Sequence, residues 1–208
     1  MESSSRSFVR IAPLRRLLPA AFALALTSLP ACRWAQSLNV FAASTPSDCL
    51  PNITLTNQYG KPVSLASLKG KPVLVDFIYT SCAEECLLIT RRMTKVAQRL
   101  GSELGSKVTL VSITIDPEND GPAQLRYYAK HENADRPGWL FLTGTPKQID
   151  AELANFHLVR RREADGSVQH ISEFFLLDPQ GHELLIIDPM QTTADNIASH
   201  IEQIEAHG

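Results

Sequence analysis

Residues 73–89, VLVDFIYTSCAEECLLI, constrain this chain more than any other stretch. The first seven positions are apolar, β-branched or aromatic except for Asp76, a pattern that predicts a strand buried on both faces. Thr80 and Ser81 then offer side-chain oxygens that can cap a helix, which puts Cys82 in the first turn and Cys86 one turn later on the same face. A helix start carries unpaired N–H groups and the positive end of the helix dipole, and both stabilise a thiolate. Glu84 and Glu85 oppose a second negative charge and welcome a cation, so the pattern points towards metal. The alternative, two small apolar fillers, does not account for two sulfurs sharing one exposed helix start.

The chain has 208 residues, 44% of them apolar, enough for one globular domain with a sizeable core behind a targeting segment. Arg6, Arg10, Arg15 and Arg16 precede an apolar run over residues 17–31, the layout of a secretory signal peptide. Pro19 and Pro30 interrupt that run, and it is shorter than the roughly 20 residues a spanning helix needs. Leu29, Ala31 and Cys32 resemble a bacterial lipobox, which makes Cys32 a candidate for lipidation; simple cleavage and an uncleaved anchor are the other two outcomes. The expected organisation is a signal or anchor over residues 1–33, a Ser/Thr/Ala/Pro tether over 34–50 and a folded domain over 51–208, outside the cytoplasm in the periplasm or cell envelope. The first 33 residues hold five arginines and one glutamate of the 20 basic and 22 acidic residues, leaving 15 against 21 and a net of −6 for the rest. Such a body is a poor partner for nucleic acid. Cys49, at the end of the tether, reads as incidental.

From Ile53 the pattern predicts two short strands around a turn at 57–60, an N-terminal hairpin ahead of the central strand. After the cysteine helix come a β-rich run at 107–116, a turn at 117–121 and an amphipathic helix carrying Leu125, Tyr128 and Ala129. A strand at 139–143 and a helix at 146–156 follow, then a turn at Asp165 and Gly166, a hairpin closed at 179–181 and a last helix at about 192–206. This order predicts an α/β domain with a mixed sheet flanked by helices on both faces. A βαβ unit, a ββα ending and a cysteine pair after the first core strand resemble the thioredoxin fold, whose chemistry sits at strand ends.

With those pieces, the stretches GKPVLVDFIYTSCAEEC, VSITIDPENDGP and QHISEFFLLDPQG resemble the Sco/SenC family of copper-handling proteins over roughly residues 50–207. The family's CxxxC pair falls on Cys82 and Cys86, its DPxxD element on Asp116 and Asp120, and its strand-leading histidine on His170. The resemblance implies a copper site made of Cys82, Cys86 and His170, chiefly for Cu(I) and with Cu(II) as a further possibility. It also implies a role in assembling the dinuclear copper centre of a cytochrome c oxidase, whose copper-centre subunit, or another exported cuproprotein, is the implied partner. Independently, two soft thiolates and an imidazole suit Cu(I) and leave one side open for transfer, whereas three ligands make an incomplete structural zinc site. From the residues alone, His170 reads more readily as a satisfied histidine at the edge of a strand than as a ligand, and it is the resemblance that favours a ligand; the other five histidines sit near expected helix ends or in a turn.

The chain departs from the family pattern in having Ala83 and Leu87 where proline usually follows each cysteine, and DPENDG for DPxRDT. Asp76, six residues before Cys82, matches the offset of the buried acid of thioredoxins; it reads either as an accessory proton acceptor or as a carboxylate paired with Lys71 or a backbone donor. The competing function is an exported thiol-disulfide oxidoreductase in which Cys82 attacks and Cys86 resolves. Against it, no proline lies between Pro146 and Pro179 to supply the cis-proline that such enzymes share, and the four-residue cysteine offset is not CxxC. The PxxxTxxC signature of peroxidases is absent around Cys82.

Overall fold

The computed structural model describes residues 48–82, 85–164, 168–169 and 171–207. The expected signal segment, Cys32 and most of the tether therefore lie outside the described residues, as do Ala83, Glu84, Asp165, Gly166 and His170.

Seven strands form one sheet among the described residues: β1 (Thr54–Asn57), β2 (Pro62–Ser64), β3 (Val73–Ile78), β4 (Thr109–Thr114), β5 (Trp139–Thr143), β6 (Phe174–Leu177) and β7 (Glu183–Ile187). Their spatial order is β2-β1-β5-β4-β3-β6-β7. β3, β4 and β5 run parallel and form the centre, with β1 antiparallel to β5 and β6 antiparallel to β3. The helices are α1 (Glu85–Leu100), α2 (Pro122–His131), α3 (Pro146–Asn155) and α4 (Ala194–His207). Seven strands and four helices in this order are a mixed sheet with a thioredoxin-like arrangement and an N-terminal hairpin, as the sequence predicts.

All six residues of β3 are buried, which explains its uninterrupted apolar run. Successive side chains alternate between faces. Val73, Val75 and Phe77 join Ile149, Leu153 and Phe156 of the α3 side in one apolar cluster. Leu74 and Ile78 join Ile89, Met93, Leu125, Tyr128, Ile197 and Ile201 of α1, α2 and α4 in the other. Each such side chain withdrawn from water contributes roughly 1.5–3 kcal/mol, so the two clusters on β3 hold the sheet between its helices. α3 starts with a capping box, in which the Thr145 side chain accepts from the Gln148 amide and Gln148 returns the bond to the Thr145 amide.

The folded body reaches upstream of residue 51, where the sequence reading starts it. Asp48 pairs with His182, the Cys49 amide donates to the Gly181 carbonyl at 2.9 Å, and Cys49 and Leu50 are fully buried in the α3-side cluster. A polar composition hid two anchoring side chains: Cys49 is a core residue rather than an incidental one.

Candidate functional site

β3 ends at Ile78, and the chain turns at once, the Cys82 amide donating to the Tyr79 carbonyl at 3.3 Å. Cys82 lies ahead of α1 and not within its first turn, and α1 as described begins at Glu85. The expected cap residue is engaged elsewhere: Thr80 donates its amide to Asp120 Oδ2 at 2.9 Å and its hydroxyl to Asp120 Oδ1. The cysteine sulfur itself takes the role expected of the cap oxygens, because Cys82 Sγ accepts the Cys86 amide at 3.2 Å.

Both cysteines are thiols and are nearly buried, at 6% exposure for Cys82 and 2% for Cys86. Burial, reinforced by the bond to Cys82, pushes the Cys86 thiol well above the ordinary range, so Cys86 keeps its proton until something replaces it. The Cys86 carbonyl accepts from the Tyr128 hydroxyl at 3.3 Å, and that hydroxyl is 2.7 Å from the hydroxyl of Thr90. Cys82 opens onto a pocket of about 610 Å³ lined also by Thr80, Ser81, Leu87, Tyr127 and Tyr128. Cys82 faces that pocket, whereas Cys86 does not line it.

The three accessory aspartates separate in role. Asp76 is fully buried and neither of its oxygens has a hydrogen-bond partner; burial raises its pKa to about 7, a shift that the Ser112 hydroxyl beside it on β4 partly offsets. It does not pair with Lys71, whose ammonium goes to the Gly105 carbonyl. Asp120 is buried and accepts from Thr80 and, at 2.6 Å, from the Thr114 hydroxyl. Asp116 accepts from Arg162 at 2.5 Å and from the Asn119 side chain at 2.9 Å. The 116–120 loop therefore touches the cysteine turn, although neither carboxylate points at a sulfur through any bond described.

His170 lies outside the described residues, but its neighbours place the chain on either side of it. The Gln169 amide donates to the Arg161 carbonyl at 2.8 Å, and Ile171 belongs to the same apolar cluster as Cys82 and Cys86. β6 runs antiparallel to β3 with Val75 opposite Phe175, so the residues leading into β6 run alongside the end of β3 from which the cysteine turn departs. Among the described residues no group of three or more His, Cys, Asp or Glu side chains could hold a metal. Of the histidines assigned to helix ends, His131 closes α2, whereas His200 lies mid-way along α4.

Sequence reasoning missed Thr80 as the partner of Asp120, Tyr128 as the donor to the Cys86 carbonyl, and Arg160 and Arg162 as the cations over the acidic loop. A usable signal existed only for the arginines, a basic run at 160–162 answering the acidic 116–120.

The fold and the site together define a thioredoxin-like domain with a buried CxxxC dithiol at the end of its central strand. The SCO1/SenC family model matches residues 42–206, and the chain belongs to that family. It is 37% identical to the SCO1 protein homolog of Bacillus subtilis over 153 residues, 72% of this chain and 79% of that protein. Among solved structures, BsSco, described as a Sco-family cytochrome c oxidase assembly protein with a disulfide switch, is 35% identical with a TM-score of 0.67, covering 79% of this chain and 98% of its own. Copper-bound ScoI of Bradyrhizobium japonicum is 27% identical with a TM-score of 0.65, covering 73% and 96%.

Proposed function

We propose that this protein is an exported, membrane-associated copper carrier that takes Cu(I) as its cargo on Cys82 and Cys86, with His170 as the third ligand, and passes it to the copper-centre subunit of a cytochrome c oxidase or another exported cuproprotein. The observation that carries the reading is the Cys86 amide 3.2 Å from Cys82 Sγ, which holds the two thiols within one turn, with Cys82 facing a pocket. Soft sulfur donors in an apolar setting favour Cu(I) over harder divalent ions. The cation displaces the thiol protons, so loading releases acid, and burial makes Cys86 reluctant to give up its proton. Copper-bound ScoI, together with a relative from Stutzerimonas stutzeri named a putative copper-binding protein that is 30% identical over 172 residues, supports copper as the cargo. Export, lipidation at Cys32 and a periplasmic address rest on the N-terminal sequence pattern.

The test is titration of the reduced protein with Cu(I) against a competing chelator. Wild type retains one equivalent, Cys82→Ser and Cys86→Ser lose it, and His170→Ala weakens it while leaving disulfide formation intact. Failure of wild type to hold copper, with full reduction of insulin disulfides, overturns this reading. It would favour the second one, an extracytoplasmic thiol-disulfide oxidoreductase acting on cuproprotein cysteines. The contact between the Cys86 amide and Cys82 Sγ supports that second reading, as does the disulfide switch reported for BsSco.

A further inference from the structure

We propose that the 116–120 loop is a brace that fixes the spacing between the cysteine turn and an arm formed by residues 160–164 and 168–169, which lead to His170, with Arg162 as the positioning residue. The inference rests on the copper reading for its purpose but not for its geometry. On one side, Asp120 holds the amide and hydroxyl of Thr80, two residues before Cys82. The Thr114 hydroxyl at the end of β4 donates to Asp120 at 2.6 Å and accepts the Asp116 amide at 2.9 Å, so both ends of the loop hang on one β4 side chain. On the other side, Arg162 donates to Asp116 at 2.5 Å and to Glu118 at 3.5 Å. Arg160 donates to both oxygens of Glu118 at 2.9 and 2.8 Å and to Asp150 of α3 at 2.6 Å.

The arm is closed on itself just beyond those arginines. Arg162 pairs with Val168 as an antiparallel bridge, and the Gln169 amide donates to the Arg161 carbonyl. A cation that grips the acidic loop therefore also sets where residue 169 emerges. Exposed ion pairs are weak one at a time, but this set is not fully exposed: the Asp116 side chain is 4% accessible and that of Arg160 16%. The two oxygens of Asp116 are committed to different segments, Oδ1 to the arm and Oδ2 to Asn119 of its own loop. Asp116 and Asp120 thus act through the segments they hold, and neither needs to touch the cargo.

The test uses the full chain with Arg162→Met and Arg162→Lys, each alone and combined with His170→Ala. In the metal-free protein, hydrogen exchange at the Gln169 amide should quicken about tenfold in Arg162→Met, with Arg162→Lys close to wild type, since opening the clasp frees that hydrogen bond. In Cu(I) competition, the factor by which His170→Ala weakens binding should shrink about threefold to tenfold in the Arg162→Met background, the range expected of coupled neighbours. Unchanged exchange at Gln169, or an equal His170→Ala factor in both backgrounds, overturns the brace. If wild type holds no Cu(I), or His170→Ala costs nothing in wild type, the copper reading or its third ligand falls, and the exchange result alone decides the brace. Should Arg162→Met not fold, Glu118→Gln, at a carboxylate 42% exposed, reads the same exchange.

Discussion

Asp120 and Thr80, 40 residues apart, are joined twice, the carboxylate accepting both the amide and the hydroxyl of the threonine. Replacing Asp120 by Ala leaves a Thr80 amide and the Thr114 hydroxyl without their acceptor. The cost expected for stranded partners is about 1–3 kcal/mol. Urea unfolding of Asp120→Ala should show it, with Thr80→Val losing less because Thr80 keeps its amide bond. Equal stability of Asp120→Ala and wild type contradicts the clamp.

Asp76 makes the stability of the fold depend on pH. In the folded protein it holds its proton up to about pH 7, whereas its ordinary value, taken for the unfolded chain, is 3.8. Folding therefore takes up a proton between those limits, so the contribution of Asp76 is greatest below about pH 4, declines as pH rises, and levels off above about pH 7. The decline is on the order of 4 kcal/mol at most. Asp76→Asn should remove most of this slope, gaining on wild type from pH 5 to pH 8 in urea unfolding. Parallel losses in the two proteins over that range contradict it.

Glu152 of α3 behaves in the same sense. It is fully buried, its Oε1 has no hydrogen-bond partner, its Oε2 accepts from Asn155, and burial raises it from 4.5 to about 8. Its stabilising proton is lost as pH rises through that window. Glu152→Gln should therefore raise the melting temperature more at pH 9 than at pH 5, and a gain independent of pH contradicts the assignment.

The buried thiols should be slow to react. Burial pushes Cys49 up to about 12 and raises Cys86 as well, so both are mostly protonated and covered near neutrality. In reduced Cys82→Ser, alkylation by iodoacetamide at pH 8 should run at least ~100-fold slower at Cys49 and Cys86 than in denaturant. Comparable native and denatured rates at Cys86 remove the protected dithiol.

What could be read from the sequence was whatever repeats locally. β5 spans the expected residues 139–143, and β3 lies within its expected run, because a buried strand shows itself as unbroken apolar sequence. Leu125, Tyr128 and Ala129 are the buried face of α2, as their spacing predicts. What failed was decided at a distance. Thr80 looked like a cap until Asp120 claimed it from beyond β4, and Lys71 looked like a partner for Asp76 until the Gly105 carbonyl took it. No local pattern carries either contact. Cys82 and Cys86 stood out because sulfur is rare and their offset matches one helical turn, whereas the role of Arg162 depends on a contact 46 residues away.

The hairpin turn that receives Asp48 and Cys49 follows β6, and because β6 opposes β3 this turn sits beside the start of β3, where the Gly70 amide meets the Pro179 carbonyl. The sulfurs leave from the other end, six residues of strand away, about 20 Å at 3.3 Å per residue. The entry of the chain at Asp48 and the cysteine turn thus lie at opposite ends of β3. Strain at the residues that enter the domain is therefore taken up by the turn after β6, a full strand length from the turn that carries Cys82.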